Sequence, residues 1–541
     1  MMKQTTALLL AAALTVTLAG CNTVSSGSES TAATAISTNA VEELKADTTL
    51  VFADGGITVS GRETGYEVEG TALTIDKAGV YQLSGSCADG SVKVKKGTTG
   101  VTLLLNGLTL TSADTAPIVC AKSTEVTIRA AAGSVNTLTD SAKNNDDDFP
   151  KNENAENAVI KCKDGSQVVL EGTGVLRIVS KGKNGIKSGC ELDGRAASLT
   201  IRELTLDIDA PVNDAVNAEQ LLNVESGDLT IFAGDDALHC DLVLNVGAEG
   251  TAGPSITITG CEEGIEGAEL NILSGNISIQ ANDDCLNAAN SDLESYAFAI
   301  NISGGSIVAY SASGDGFDSN GDMTISGGYV EVWTANRADN QPLDADGTIR
   351  ITGGTVLAGG GSSGMGLSLV TEQGCVVYGS NNGMGGGFGG GRPGMAGQKD
   401  SGQPPEDLPE RMPEGQFAQG APDGQTPPEQ PQGWQPMDPK DEENFGLFDG
   451  SAQTLFAEGQ SFSIADAAGN VLCSGTAPCD TGYLLYCSAD VMPEQSYELL
   501  AADAVVDTQT AASGQVADSG HFGGGMLGGF AARLTSWTKK A

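Results

Sequence analysis

The residues best suited to chemistry in this chain are carboxylates, and they recur. A polar or acidic residue, a small one, an apolar one and a second polar one follow each other six times. The runs are Asn184-Gly185-Ile186-Lys187, Asp214-Ala215-Val216-Asn217, Asp236-Ala237-Leu238-His239, Glu263-Gly264-Ile265-Glu266, Asp284-Cys285-Leu286-Asn287 and Asp315-Gly316-Phe317-Asp318. Further acids stand just before three of them, at Asp235, Glu262 and Asp283. On strands, alternation sends the central apolar residue inward and the next residue outward. Stacked copies would then form an outward column of Lys187, Asn217, His239, Glu266, Asn287, Asp318 and Asp344, with a second column at the turn two residues before each centre. Neighbouring parallel strands lie about 4.8 Å apart. Two carboxylates at that spacing repel by roughly 3 kcal/mol at an effective dielectric of about 20. A divalent cation relieves such a ladder, and calcium suits irregular shells of carboxylate, amide and carbonyl oxygens. The candidate metal ligands are therefore Asp214, Asp235, Asp236, Glu262, Glu263, Asp283, Asp284, Asp315 and Asp318. A row of solvated polar turns is the alternative reading, since no EF-hand-type spacing fixes individual ligands.

The elements that must position these acids are short strands. An apolar-x-apolar triplet, usually after glycine, occurs at Leu176, Leu206, Leu229, Ile256, Ile277, Ile307, Val330 and Val356. Its steps range from 21 to 30 residues, and the acidic motif follows most triplets at a nearly fixed offset. A fixed inner offset within a variable outer step is the mark of a solenoid, whose strands stack while its loops differ in length. The period of two excludes stacked helices. A parallel β-helix of about ten turns is expected, with an N-terminal cap and a C-terminal strand segment. Propeller blades need about 40 residues or more and a fourth strand that is not found.

Composition agrees. The chain has 541 residues, 74 of them glycine, and only 5% aromatics, which suits many short strands and tight turns. Lys and Arg number 28 against 70 Asp and Glu, a net charge of −42. Such a surface repels nucleic acid and attracts cations. Lys3, the apolar run from Ala7 to Ala19 and then Leu18-Ala19-Gly20-Cys21 read as a signal peptide over 1–20 whose end resembles the bacterial lipobox. By that resemblance Cys21 is acylated, and the protein is exported and held at the cell surface by a lipid anchor in the bacterial membrane. Residues 21–44 read as a flexible tether. The repeat domain spans 45–378, with an Asp140–Asn154 insertion. A Gly/Pro-rich insertion over 379–443 is too poor in apolar residues to build a core. Final strands of the coil or a C-terminal cap follow over 444–507, then a Gly-rich tail over 508–541. Eleven cysteines follow Cys21, an odd number that cannot all pair within the chain.

Two further features bear on sugar binding. Tyr310 and Trp333 hold the same place on consecutive strands, so they are expected to project from one face, where they stack on sugar rings or pack beneath a neighbouring loop. Lys181, Lys183 and Lys187 form a basic patch in an acidic chain, suited to charge compensation or to an acidic sugar. Asn282-Asp283-Asp284-Cys285 looks locally like a polygalacturonase segment, but the companion Asn-Thr-Asp, Gly-His-Gly and Arg-Ile-Lys segments are not at matching places. Paired acids recur on several turns, whereas a catalytic pair belongs on one.

The lipobox, the Ile-x-Ile-Ser-Gly-Gly-x-Val repeat, the Asp-Gly/Ala-apolar-Asp/Asn turns and the Gly-Met-Gly-Gly-Gly-Phe-Gly-Gly run before a Tyr-Cys-Ser strand together resemble one group. It is the exported clostridial carbohydrate-binding domain-containing family, typified by a cellulose- and pectate-binding β-helix. The resemblance covers roughly residues 45–505 and implies a right-handed parallel β-helix, bound calcium and affinity for plant polysaccharide, above all acidic sugars, without established catalysis. A calcium-dependent polyuronate lyase and a structural adhesin without a sugar ligand are the alternatives; the lyase would draw its base from the lysine patch.

Overall fold

The structure is a computed structural model, and it describes residues 44–293, 295–335, 340–360, 368–379 and 454–517. The expected signal peptide, Cys21, nearly all of the expected tether and 379–443 insertion, and the residues beyond 517 lie outside the described residues.

All regular elements among the described residues are strands, and 34 of them join in one continuous, ring-like hydrogen-bonded sheet. Alternation explains the strands themselves. Asn276–Ala281, for example, reads exposed and buried by turns. Along the repeat, strands pair in parallel with strands about one repeat step away. Ile186 faces Val216, Val216 faces Leu238, Leu238 faces Ile265, Ile265 faces Leu286, and Leu286 faces Phe317. Leu343 continues this column through an isolated parallel bridge to Phe317. All these side chains are buried, each contributing on the order of 1.5–3 kcal/mol of hydrophobic stabilisation. Two further inward columns run beside it, Leu199-Leu222-Leu244-Leu270-Ile300-Met323-Ile349 and Ile178-Ile208-Ile231-Ile258-Ile279-Ala309-Val332.

The small residue of the acidic motif has a steric cause. A Cβ added at Gly264 would run into the Cys285 carbonyl oxygen, and one at Gly316 into that of Pro342. Ala215, Ala237 and Cys285 fill the same position, wholly buried.

The two ends differ from the middle. At the N-terminal end the hairpins Thr48–Ala53 with Gly56–Gly61 and Tyr66–Glu69 with Ala72–Ile75 are antiparallel, and each joins the parallel strands beyond it. At the other end, where final coil strands or a C-terminal cap are expected, the pairing turns antiparallel. Tyr483–Ser488 and Ala512–Ala517 pair antiparallel with Ser368–Tyr378. Ser461–Asp466, Val471–Thr476, Ser496–Ala501 and Ala504–Thr510 form a separate four-stranded antiparallel sheet. Residues 508–517, expected in the tail, are thus largely strand. Cys375 and Cys487 are disulfide-bonded, and the other nine described cysteines are free thiols, seven of them buried.

Candidate functional site

The acidic motifs stack into two adjacent columns. At the turn, backbone bonds run from Gly185 N–H to Asp214 C=O at 3.0 Å, Ala215 to Asp236 at 2.9 Å, Ala237 to Glu263 at 3.0 Å, Gly264 to Asp284 at 2.9 Å and Gly316 to Gln341 at 2.8 Å. Several carboxylates reinforce this stack. Oδ1 of Asp284 accepts the Asp315 N–H, and Oδ1 of Asp315 the Gln341 N–H, both at 2.6 Å. The outward column is Lys161-Lys187-Asn217-His239-Glu266-Asn287-Asp318 by strand register. It meets the turn column through side chains: Asn217 Nδ2 donates to Asp214 Oδ2 at 2.6 Å, and Asn287 Nδ2 donates to Glu263 Oε2 at 2.8 Å.

Burial makes these acids hard to ionise. Loss of solvent, then the neighbouring Asp236, pushes Asp214 up to about 6. Burial first, with neighbouring acids adding and hydrogen bonds donated by groups such as Asn287 and the Gln341 N–H opposing, brings Asp236 and Asp318 to about 6, Glu263 and Asp315 to about 7 and Asp284 to about 8. His239 sits among them. Burial disfavours its cation, but hydrogen bonds with Asp236, Asp241 and Glu266 outweigh this and hold its pKa well above the usual range.

The expected metal ligands separate. Asp214, Asp235 and Asp236 bring oxygens within 4.8 Å of one another, and so do Asp315, Asp318 and Asp344. Glu262, Glu263, Asp283 and Asp284 join no such group of three among the described residues. Glu262 is exposed and accepts from Asn282 at 2.7 Å. A further group joins the expected ligand Asp236 to His239 and Glu266, neither of which is counted among the candidates. Asn287 Oδ1 is buried with no hydrogen-bond partner, although acidic residues flank Asn287 in register on both sides.

The sugar-contact candidates change more. Tyr310 and Trp333 are direct neighbours across parallel strands, as their spacing requires. Trp333 is nevertheless only 2% exposed, so it does not project. Its ring meets Phe462 edge-on at 5.7 Å, and its Nε1 donates to Glu331 at 2.9 Å. Tyr310 packs against the same cluster. The lysine patch is largely spoken for. Lys183 pairs with Asp147, and Lys187 lies 3.8 Å from Glu219. Lys181 is exposed, while its backbone N–H donates to Asp140 at 2.6 Å. The Asp140–Asn154 insertion therefore folds down on the bend that carries Lys181 and Lys183.

Two features escaped sequence reasoning. Beside the acidic columns runs an amide row in which each Asn Nδ2 donates to the preceding Oδ1. Asn245 donates to Asn223 at 2.9 Å, Asn271 to Asn245 at 3.0 Å and Asn301 to Asn271 at 3.0 Å. Register carries the row on to Thr324 and Arg350. The signal was readable as Asn between two apolar residues, in Leu222-Asn223-Val224, Leu244-Asn245-Val246, Leu270-Asn271-Ile272 and Ile300-Asn301-Ile302. The second feature is a cavity of about 340 Å³ at the end of both rows, bounded by Asp344 and Arg350 among others.

Residues 69–364 match the model of the family described as carbohydrate-binding domain-containing protein, and the chain belongs to that family. A relative of the same description from Acetivibrio thermocellus is 30% identical over 201 residues. The match covers 36% of this chain and 64% of the relative. A solved structure, a polysaccharide lyase-like protein from C. thermocellum studied as a gadolinium derivative, is similar at 22% identity with a TM-score of 0.33. That similarity covers 56% of this chain and 96% of the solved one.

Proposed function

We propose that this member of the carbohydrate-binding domain-containing family is an exported, lipid-anchored surface protein that holds acidic, pectate-like polysaccharide through calcium on a right-handed parallel β-helix. Stepwise parallel pairing along the repeat supports the β-helix reading. The observation that carries the calcium reading is Asn287. Its Oδ1 is buried without a donor, in a column whose flanking members are Glu266 and Asp318. An acceptor in such surroundings calls for a cation, because an unpaired buried polar atom costs about 1–3 kcal/mol. The donor set fits a hard ion, since the groups Asp214/Asp235/Asp236 and Asp315/Asp318/Asp344 supply oxygen only. Calcium would supply positive charge shared between these carboxylates and an anionic sugar chain, which a net charge of −42 otherwise repels. The chain's own part is rigidity. Backbone bonds between successive turns and the Asp284 and Asp315 side-chain bonds fix the spacing of the oxygens. Binding is favoured over lyase chemistry because Lys183 and Lys187 already have acidic partners.

The test is retention of polygalacturonate by the full chain in calcium and in EDTA, beside Asp214→Asn with Asp235→Asn. Asn keeps the Oδ1 that accepts the Asp236 N–H but removes the charge. Calcium content and polymer retention are expected to fall together. Equal retention by both proteins in both buffers would sink the proposal. Acylation of Cys21 is checked separately, by mass spectrometry of the membrane-extracted protein.

A further inference from the structure

The cavity of about 340 Å³ lies where the acidic column and the amide row end. Asp344 brings it beside the Asp315/Asp318/Asp344 group, and Arg350 stands in register after Asn301 and Thr324. Its volume falls in the range of small-ligand sites, which run from about 300 to 1,000 Å³. Asp344, Thr348 and Arg350, with Gln341, give it polar groups, while Leu343 and Leu369 beneath are buried in the core. Convergent hydrogen-bonding groups in a recess are what the hydroxyl edge of a sugar ring needs.

Arg350 sets the class of sugar. Every other described arginine has an acidic partner: Arg62 with Asp47, Arg129 with Glu171, Arg177 with Asp207, Arg195 with Glu125, and Arg202 with Glu171 and Glu225. Arg350 alone among them is exposed at a cavity without an ion pair, in a chain where acids outnumber bases 70 to 28. A guanidinium matches a carboxylate with two parallel N–H bonds. We propose that this cavity is a terminal subsite for one uronic acid residue. Arg350 takes the sugar carboxylate, and Asp344, Gln341 and Thr348 take ring hydroxyls. The inference rests on the carbohydrate-binding reading but not on calcium along the rest of the ladder.

The experiment is calorimetric titration of the full chain with trigalacturonate and with the neutral trisaccharide of the same linkage, in calcium buffer. The parent is expected to prefer the acidic trimer. Arg350→Ala should weaken that trimer by about tenfold to a hundredfold, as loss of a hydrogen-bonded charge pair does. It should leave the neutral trimer unchanged. Arg350→Lys should fall between, and Thr348→Trp, which fills the cavity, should weaken both. Melting curves check that each variant is folded. Equal affinity of parent and Arg350→Ala for trigalacturonate overturns the subsite and leaves the ladder proposal standing. Trimer binding lost through Arg350→Ala, in a protein that retains polygalacturonate equally with and without calcium, supports the subsite and overturns the ladder.

Discussion

Glu266 Oε2 lies 2.7 Å from His239 Nδ1 across the boundary between two parallel strands. The same nitrogen lies 2.8 Å from Asp236 Oδ2, and Nε2 lies 2.9 Å from Asp241 Oδ1. One imidazole therefore answers three carboxylates, which requires both ring nitrogens to be protonated. His239 is an internal cation built into the acidic ladder.

Replacing it with Gln should expose the repulsion it relieves. His239→Gln is expected to lose roughly 1–3 kcal/mol of stability, the cost of leaving partly buried charges without a partner. The loss should be larger in EDTA than in calcium, since an added cation takes over the compensation. Urea unfolding of both proteins in both buffers measures this, and an unchanged midpoint would refute it.

The ladder also fixes the sign of the pH dependence. Folded-state values of about 6 for Asp214, Asp236 and Asp318 and about 8 for Asp284 lie above the ordinary 3.8. The folded protein therefore binds more protons than the unfolded one between those limits. Stability from these groups is fully present below pH 3.8 and is lost as pH rises through 6 to 8. In EDTA the melting temperature should accordingly fall from pH 5 to pH 8, apart from other groups that titrate in the acid range. Calcium should flatten that fall, because a bound cation favours the ionised acids. A melting temperature that rises across this window in EDTA would contradict the assignment.

How far this was legible depends on what a residue's neighbours in sequence determine. Period-two alternation placed Leu238 inward and His239 outward, because that depends on the strand alone. It paired Tyr310 with Trp333 for the same reason. It gave no sign that Phe462, more than a hundred residues on, closes over Trp333, because an outward residue on a bare sheet and one beneath a second sheet alternate identically. Nor does alternation separate parallel from antiparallel pairing, so Tyr483–Ser488 resembled one more coil strand. The cavity beside Arg350 depends on Gln515 from a segment that reads as tail.

The disulfide should hold the C-terminal end together. Cys375 and Cys487 are 112 residues apart and face each other across antiparallel strands. Reduction, or Cys375→Ala with Cys487→Ala, is expected to lower stability by about 2–4 kcal/mol through the freed loop. Thermal unfolding with and without reductant measures it. The double variant should show no response to reductant, and a response equal to the parent's would place the effect elsewhere.

Trp333 offers the sharpest separation of packing from binding. Its ring is buried against Phe462, which itself stacks on Phe456 at 5.2 Å. Truncating a buried tryptophan costs about 3–5 kcal/mol. Trp333→Ala should therefore loosen the four-stranded sheet of Ser461–Thr510, seen as faster proteolysis there and an earlier melting step. Its Nε1 bond to Glu331 is lost as well, which leaves that acid without its indole partner. Retention of polygalacturonate in calcium should stay close to the parent's at temperatures where the variant is folded, because no sugar reaches a side chain 2% exposed. Wild-type stability together with a large loss of retention would instead make Trp333 a sugar contact and the packed arrangement the wrong one.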